Sequence, residues 1–161
     1  AVHETGHALV SELLRPESVA TITVVPRGKA LGFMRQTQAQ EQFLYTKEYL
    51  LDQIAICLGG AMAEELVYGT WSTGSANDFE QATSIAEQII KTGLSGLGII
   101  KEDLTSKDRI AEEMNRILSE QKERVKTLLE TKEPLIELIT ANLLEQEKVS
   151  GNWFREQLRC A

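Results

Sequence analysis

The residues best suited to chemistry stand together in His3-Glu4-Thr5-Gly6-His7, which holds both histidines of a 161-residue chain. On a helix, positions i and i+4 share a face, so His3 and His7 can offer two imidazole nitrogens to one ion. Glu4 is displaced by roughly 100° around the same helix. It is placed to act on a water at the metal's open position rather than to bind the metal. Two imidazoles, one carboxylate and an open position suit Zn²⁺ best. Cys57 lies in an apolar run and reads as a buried core residue, so the third protein ligand is expected to be Asp or Glu. Glu64, Glu65 and Asp78 are the candidates. Their plainer readings are a solvated helix end for Glu64-Glu65 and a helix N-cap for Asp78.

Those side chains need a scaffold, and the pattern predicts a mainly α one. A helix is expected over 2–14, ended by Pro16. The alternating β-branched run 19–26 reads as a strand, 27–29 as a turn and 31–36 as a second strand pairing with it. Thr46 caps a helix reaching Tyr68 that is apolar on most faces and therefore central to the core. Gly59-Gly60 inside it costs helix propensity and points to a close packing contact. A loop covers 69–77, and helices follow over 78–92, 106–129, 133–146 and 151–158, the last capped by Ser150. The fold class is thus a helical metallopeptidase-type domain with a small two- or three-stranded β element and a C-terminal helical layer. It forms one unit, with 1–98 carrying the zinc-binding part and 104–161 the helical part.

The net charge of −7, with 17 Lys and Arg against 24 Asp and Glu, argues against nucleic acid as a partner. Two cysteines without CxxC spacing argue against a disulfide framework and fit a reducing compartment. No run is apolar enough to cross a bilayer. The motif lies directly at the first residues, so the chain is expected to be a segment of a longer protein. There is no Gly-rich loop ending in Gly-Lys-Ser/Thr, so this segment is not expected to hydrolyse ATP itself.

Four blocks carry a resemblance. They are His3-Glu4-Thr5-Gly6-His7-Ala8-Leu9-Val10; Val25-Pro26-Arg27-Gly28 with Ala30-Leu31-Gly32; Leu58-Gly59-Gly60 with Ala63-Glu64-Glu65; and Ser72-Thr73-Gly74 with Asn77-Asp78 and Ala82-Thr83. In order and spacing the chain resembles the peptidase domain of the FtsH family of ATP-dependent zinc metalloproteases, peptidase family M41. It departs from that pattern at Ala61, where the family usually has Arg. The resemblance implies that His3, His7 and Asp78 hold one Zn²⁺, that Glu4 is the general base, and that Glu64 orients a histidine. It also implies a hexameric ring and a fused AAA-type ATPase module, through which alone ATP would act. A soluble, cytoplasmic-side segment of a membrane-anchored protein is the expected setting.

The expected activity is hydrolysis of peptide bonds in unfolded or ATPase-delivered polypeptides. One reading has the substrate pair with the strand at 19–26 or 31–36, which names Thr23, Val24, Val25, Gly32 and Phe33 as contacts; the other makes those strands a two-stranded element that only closes the core. The rival reading is an inactive helical oligomerisation module with a structural metal, which would leave Glu4 without a role.

Overall fold

A computed structural model describes residues 1–25, 33–36 and 44–161. Gly32 and most of the second resemblance block lie outside the described residues. Six α-helices and a three-stranded sheet are found among the described ones.

Helix α1 (Val2–Leu14) is buried along most of its length, including Thr5, Gly6 and His7. It stops at Arg15, before Pro16, where the ring would cost the next helical hydrogen bond. Helix α2 (Lys47–Tyr68) starts at Thr46, whose hydroxyl accepts the Tyr49 N–H at 3.2 Å, and ends at Gly69 with φ 76°. Every residue from Ile54 to Ala63 is buried, so α2 is the central helix that its all-round apolarity predicts.

Where α1 meets α2 the backbones touch. A Cβ on Gly6 would lie 2.3 Å from the Gly59 carbonyl oxygen, and one on Gly59 would lie 2.8 Å from that of Gly6. Only two glycines permit this approach, which brings the motif face of α1 onto α2. Helix α3 (Ala76–Lys91) follows a single 3₁₀ turn at Thr73–Ser75 and packs on α2. Helix α4 (Lys107–Leu129) is capped by Ser106 and lies across α2 and α3. Helices α5 (Glu133–Gln146) and α6 (Gly151–Cys160) complete the C-terminal layer. One apolar core runs through both parts of the chain, from Leu9 and Ile54 to Ile117, Ile139 and Phe154.

The strands are β1 (Val19–Thr23), β2 (Phe33–Gln36) and β3 (Lys148–Ser150), in the order β2-β1-β3 with both pairings antiparallel. The expected β1–β2 pairing is present, with Thr23 opposite Phe33. β3 was not expected: it is three residues long and fills the gap between two helices. Its presence makes β1 the middle strand, because Thr23 also faces Lys148. The Val24 N–H continues the pairing, donating to the Glu147 carbonyl at 3.0 Å.

Candidate metal centre

Three helices deliver the polar cluster. His3 and His7 project from the first two turns of α1 onto α2, and Asp78 sits in the first turn of α3. His3 Nε2 lies 3.0 Å from His7 Nε2 and 3.0 Å from Asp78 Oδ2, and His7 Nε2 lies 3.4 Å from the same oxygen. For zinc bonds of about 2.0–2.1 Å at tetrahedral angles, neighbouring ligand atoms stand roughly 3.3 Å apart. The triangle is therefore sized for one such ion. Its three atoms all carry lone pairs, so they repel unless a proton or cation lies among them.

The surroundings aim these atoms. His7 Nδ1–H donates to the Ile56 carbonyl at 2.7 Å, which leaves Nε2 bare in the neutral ring. His3 Nδ1 lies 3.3 Å from Glu64 Oε1, without the alignment of a hydrogen bond. Gly60 forms the wall behind the rings: a Cβ there would lie 2.6 Å from both His3 Cε1 and His7 Nε2. The site thus has bare nitrogens, a carboxylate and a cradle that a single methyl would fill. The donor set fits Zn²⁺.

Electrostatics agree with this grouping. Burial lowers the His3 pKa, but the Asp78 hydrogen bond and the charges of Glu4, Asp78 and Glu64 outweigh it and raise the net value. Burial pushes the Asp78 carboxyl upward, yet the hydrogen bonds and charges of His3 and His7 hold it well below the usual carboxylate range. Cys57, whose Sγ lies 3.9 Å from Gln81 Oε1, is pushed up to about 11 by burial and by the Asp78 charge, against its own backbone hydrogen bond. It lies outside the group formed by His3, His7 and Asp78, whose ligand atoms converge.

Of the three carboxylates left open by local reasoning, the fold brings Asp78 to both Nε2 atoms and Glu64 to the far side of His3. Glu65 turns away and pairs with Lys126 Nζ at 3.2 Å. Glu4 is half-buried in the first turn of α1, close enough to His3 for its charge to raise that pKa. Thr23, Val24 and Val25, named as substrate contacts, already carry bonds within the chain; the Val25 N–H donates to the Thr23 hydroxyl at 3.1 Å. Both sides of β1 are taken at Thr23, whose hydroxyl also donates to the Glu147 carbonyl at 3.0 Å, and Val24 is bonded to the same carbonyl. Among the described residues, Phe33 instead lies on β2, at the border of the sheet.

Gly60, the Ile56 carbonyl and Ser72, which grips Glu64, were not singled out as site residues. The glycine pair within a helix was a readable signal for the first. A backbone carbonyl has no signature in sequence, and Ser72 sits in a loop whose path depends on α2 and α3 together. An open cavity of about 480 Å³ lies along α3, lined by Asn77, Glu80, Gln81, Ser84 and Ile85.

The model of peptidase family M41 matches residues 1–108, the stretch that holds α1, α2, α3 and all the converging side chains. The chain belongs to peptidase family M41. This M41 chain is 36% identical to the ATP-dependent zinc metalloprotease FtsH of Thermus thermophilus, over 96% of its own length and 28% of the relative's. It is 37% identical to the protein of the same name in Rhodothermus marinus, over 91% and 24%. It is 35% identical to FtsH 2 of a Thermoanaerobacter species, over 99% and 33%. The M41 chain therefore spans about a quarter to a third of the length of these curated relatives. Among the described residues no helix is long and apolar enough to cross a membrane.

Proposed function

We propose that this chain is the hydrolytic part of a zinc-dependent metalloendopeptidase acting on unfolded polypeptide. The observation that carries the proposal is the convergence of His3 Nε2, His7 Nε2 and Asp78 Oδ2 within 3.0–3.4 Å beside Glu4. His3, His7 and Asp78 would hold the ion. Bound there, zinc supplies Lewis acidity that brings the pKa of a water toward ~7 and polarises a scissile carbonyl. Glu4 takes the water's proton as general base and returns it to the leaving amine. His7 is kept in its bare-Nε2 tautomer by the Ile56 carbonyl, and Glu64 steadies His3 from the opposite nitrogen. No side-chain nucleophile is needed.

Among the described residues the polypeptide has two runs to follow: β2, at the border of the sheet, and the cavity along α3. Main-chain pairing on a strand gives affinity with little sequence preference. Residues 1–98 carry the chemistry, and 104–161 brace it through the shared core. The relatives named above are described as ATP-dependent, and the chain covers a minor share of them. This supports an ATPase module elsewhere in the full-length protein as the source of unfolded substrate. The family resemblance extends the proposal to a hexameric ring and a membrane anchor outside this segment.

Casein digestion paired with metal analysis tests the reading. The chain as given is expected to bind one zinc and cut casein. Glu4→Gln should keep the zinc and lose roughly 10²–10⁴ in rate. Normal cutting by that variant sinks the mechanism.

A further inference from the structure

We propose that Ser72 is a positioning residue for the metal centre, acting through the Glu64 carboxylate that it holds against His3. The inference rests on the zinc reading above and deepens it. Glu64 divides its contacts between two elements. Toward α1, its Oε1 lies 3.3 Å from His3 Nδ1. Toward the loop after α2, its Oε2 accepts the Ser72 main-chain N–H at 2.7 Å and its Oε1 accepts the Ser72 hydroxyl at 3.3 Å. Hydrogen bonds to an ionised acceptor are short and about twice as strong as neutral ones, so this is the firm end of the contact.

The same serine organises the approach to Asp78. Its hydroxyl accepts the Gly74 N–H at 3.3 Å and its carbonyl accepts the Ser75 N–H at 3.3 Å, which shapes the 3₁₀ turn leading into α3. Asp78 follows within the first turn of that helix. On the other side of the loop, the Trp71 ring meets Phe79 edge-on at 6.1 Å between centroids. Residues 71 and 72 therefore clamp α2 and α3 together next to the carboxylate that completes the triangle. Ser72 itself is exposed and lies outside the apolar core. What it fixes is the separation between two donors on different helices. A carboxylate tethered at one end can orient an imidazole at the other; an untethered one swings into solvent.

The test is a double-mutant cycle read by zinc affinity, measured by competition with a chromogenic chelator, alongside melting of the zinc-free chain. Ser72→Ala is expected to weaken zinc binding about 3- to 10-fold, the scale of one lost hydrogen bond. Ser72→Thr, which keeps the hydroxyl, should restore it, and zinc-free melting should not change. In a Glu64→Ala background, Ser72→Ala should cost nothing more, because the residue acts through that carboxylate. Unchanged zinc affinity in Ser72→Ala overturns the inference. So does an equal loss in both backgrounds, which would make Ser72 only the cap of the turn. An unsubstituted chain that binds no zinc overturns the metal reading itself, and this inference with it.

Discussion

Asp52 on α2 and Asp78 on α3 are each held between two nitrogen-bearing side chains. Asp52 Oδ1 meets Arg124 Nη2 at 2.9 Å and its Oδ2 meets Arg15 Nη2 at 3.5 Å, so α4 and the end of α1 are strapped to the central helix. Asp78 meets His3 and His7 from the start of α1 at 3.0 and 3.4 Å. The two arrangements have similar distances, although Asp52 is the more buried carboxylate and its arginines are more exposed than the histidines. They differ in the kind of nitrogen. A guanidinium has only N–H donors and keeps its charge, so the Asp52 cluster is complete as it stands. A neutral imidazole presents a lone pair, so the Asp78 cluster has room in its bonding for a cation. A carboxylate between two bases is thus a strap or a metal site according to the bases alone.

The comparison breaks most sharply by substituting the two aspartates. Asp78→Asn is expected to weaken zinc by more than the 10–100-fold typical of an outer hydrogen-bond partner and to stop casein cutting, with any loss of zinc-free melting confined to the lower pH range where His3 is protonated. Asp52→Asn is expected to do the reverse. It leaves two arginines facing one another and should cost about 2 kcal/mol of stability by denaturant titration, the sites being partly solvated, with zinc affinity kept. Zinc loss from Asp52→Asn would erase the distinction.

Gly60→Ala places a methyl against both imidazoles. It should weaken zinc at least tenfold or cost about 1–3 kcal/mol of folding stability through overpacking, resolved by chelator competition and melting. The smallest effect is the dependence on pH. The folded His3 pKa lies above its ordinary 6.5. Its pairing with Asp78 therefore stabilises the zinc-free chain fully below 6.5 and is lost as pH rises through the folded value. Zinc-free melting should fall as pH rises above 6.5 and through that raised value. Zinc affinity should rise over the same range as the ring gives up its proton. His3→Ala should remove the melting slope, whereas Asp52→Asn should leave it.

Much of this was legible in the chain because it is local. The motif, the caps at Thr46 and Ser150, and the all-round apolarity of α2 follow from neighbours within a few residues. The Gly59-Gly60 pair announced a close approach, though not that one glycine meets Gly6 and the other the imidazoles. The choice among Glu64, Glu65 and Asp78 is not local. It depends on the turn at Thr73–Ser75, and only the family resemblance pointed to Asp78 in advance. The cover on β1 is not local either: the strand that pairs with its second side lies some 125 residues further on and is three residues long, too short to show a period.

That late strand matters for how the chain is made. β3 closes the sheet on β1. Just beyond it, Arg155 Nη1 donates to the Val19 carbonyl at 3.0 Å and lies 3.4 Å from buried Glu12 of α1, while a Cβ on Gly151 would meet the same carbonyl at 1.9 Å. On a ribosome the histidines emerge first, but the far end of their helix finds its partners only after residues 148–155 have been added. At ~5–20 residues per second, that is an interval of many seconds. During it the growing polypeptide carries the motif without the finished support beneath it.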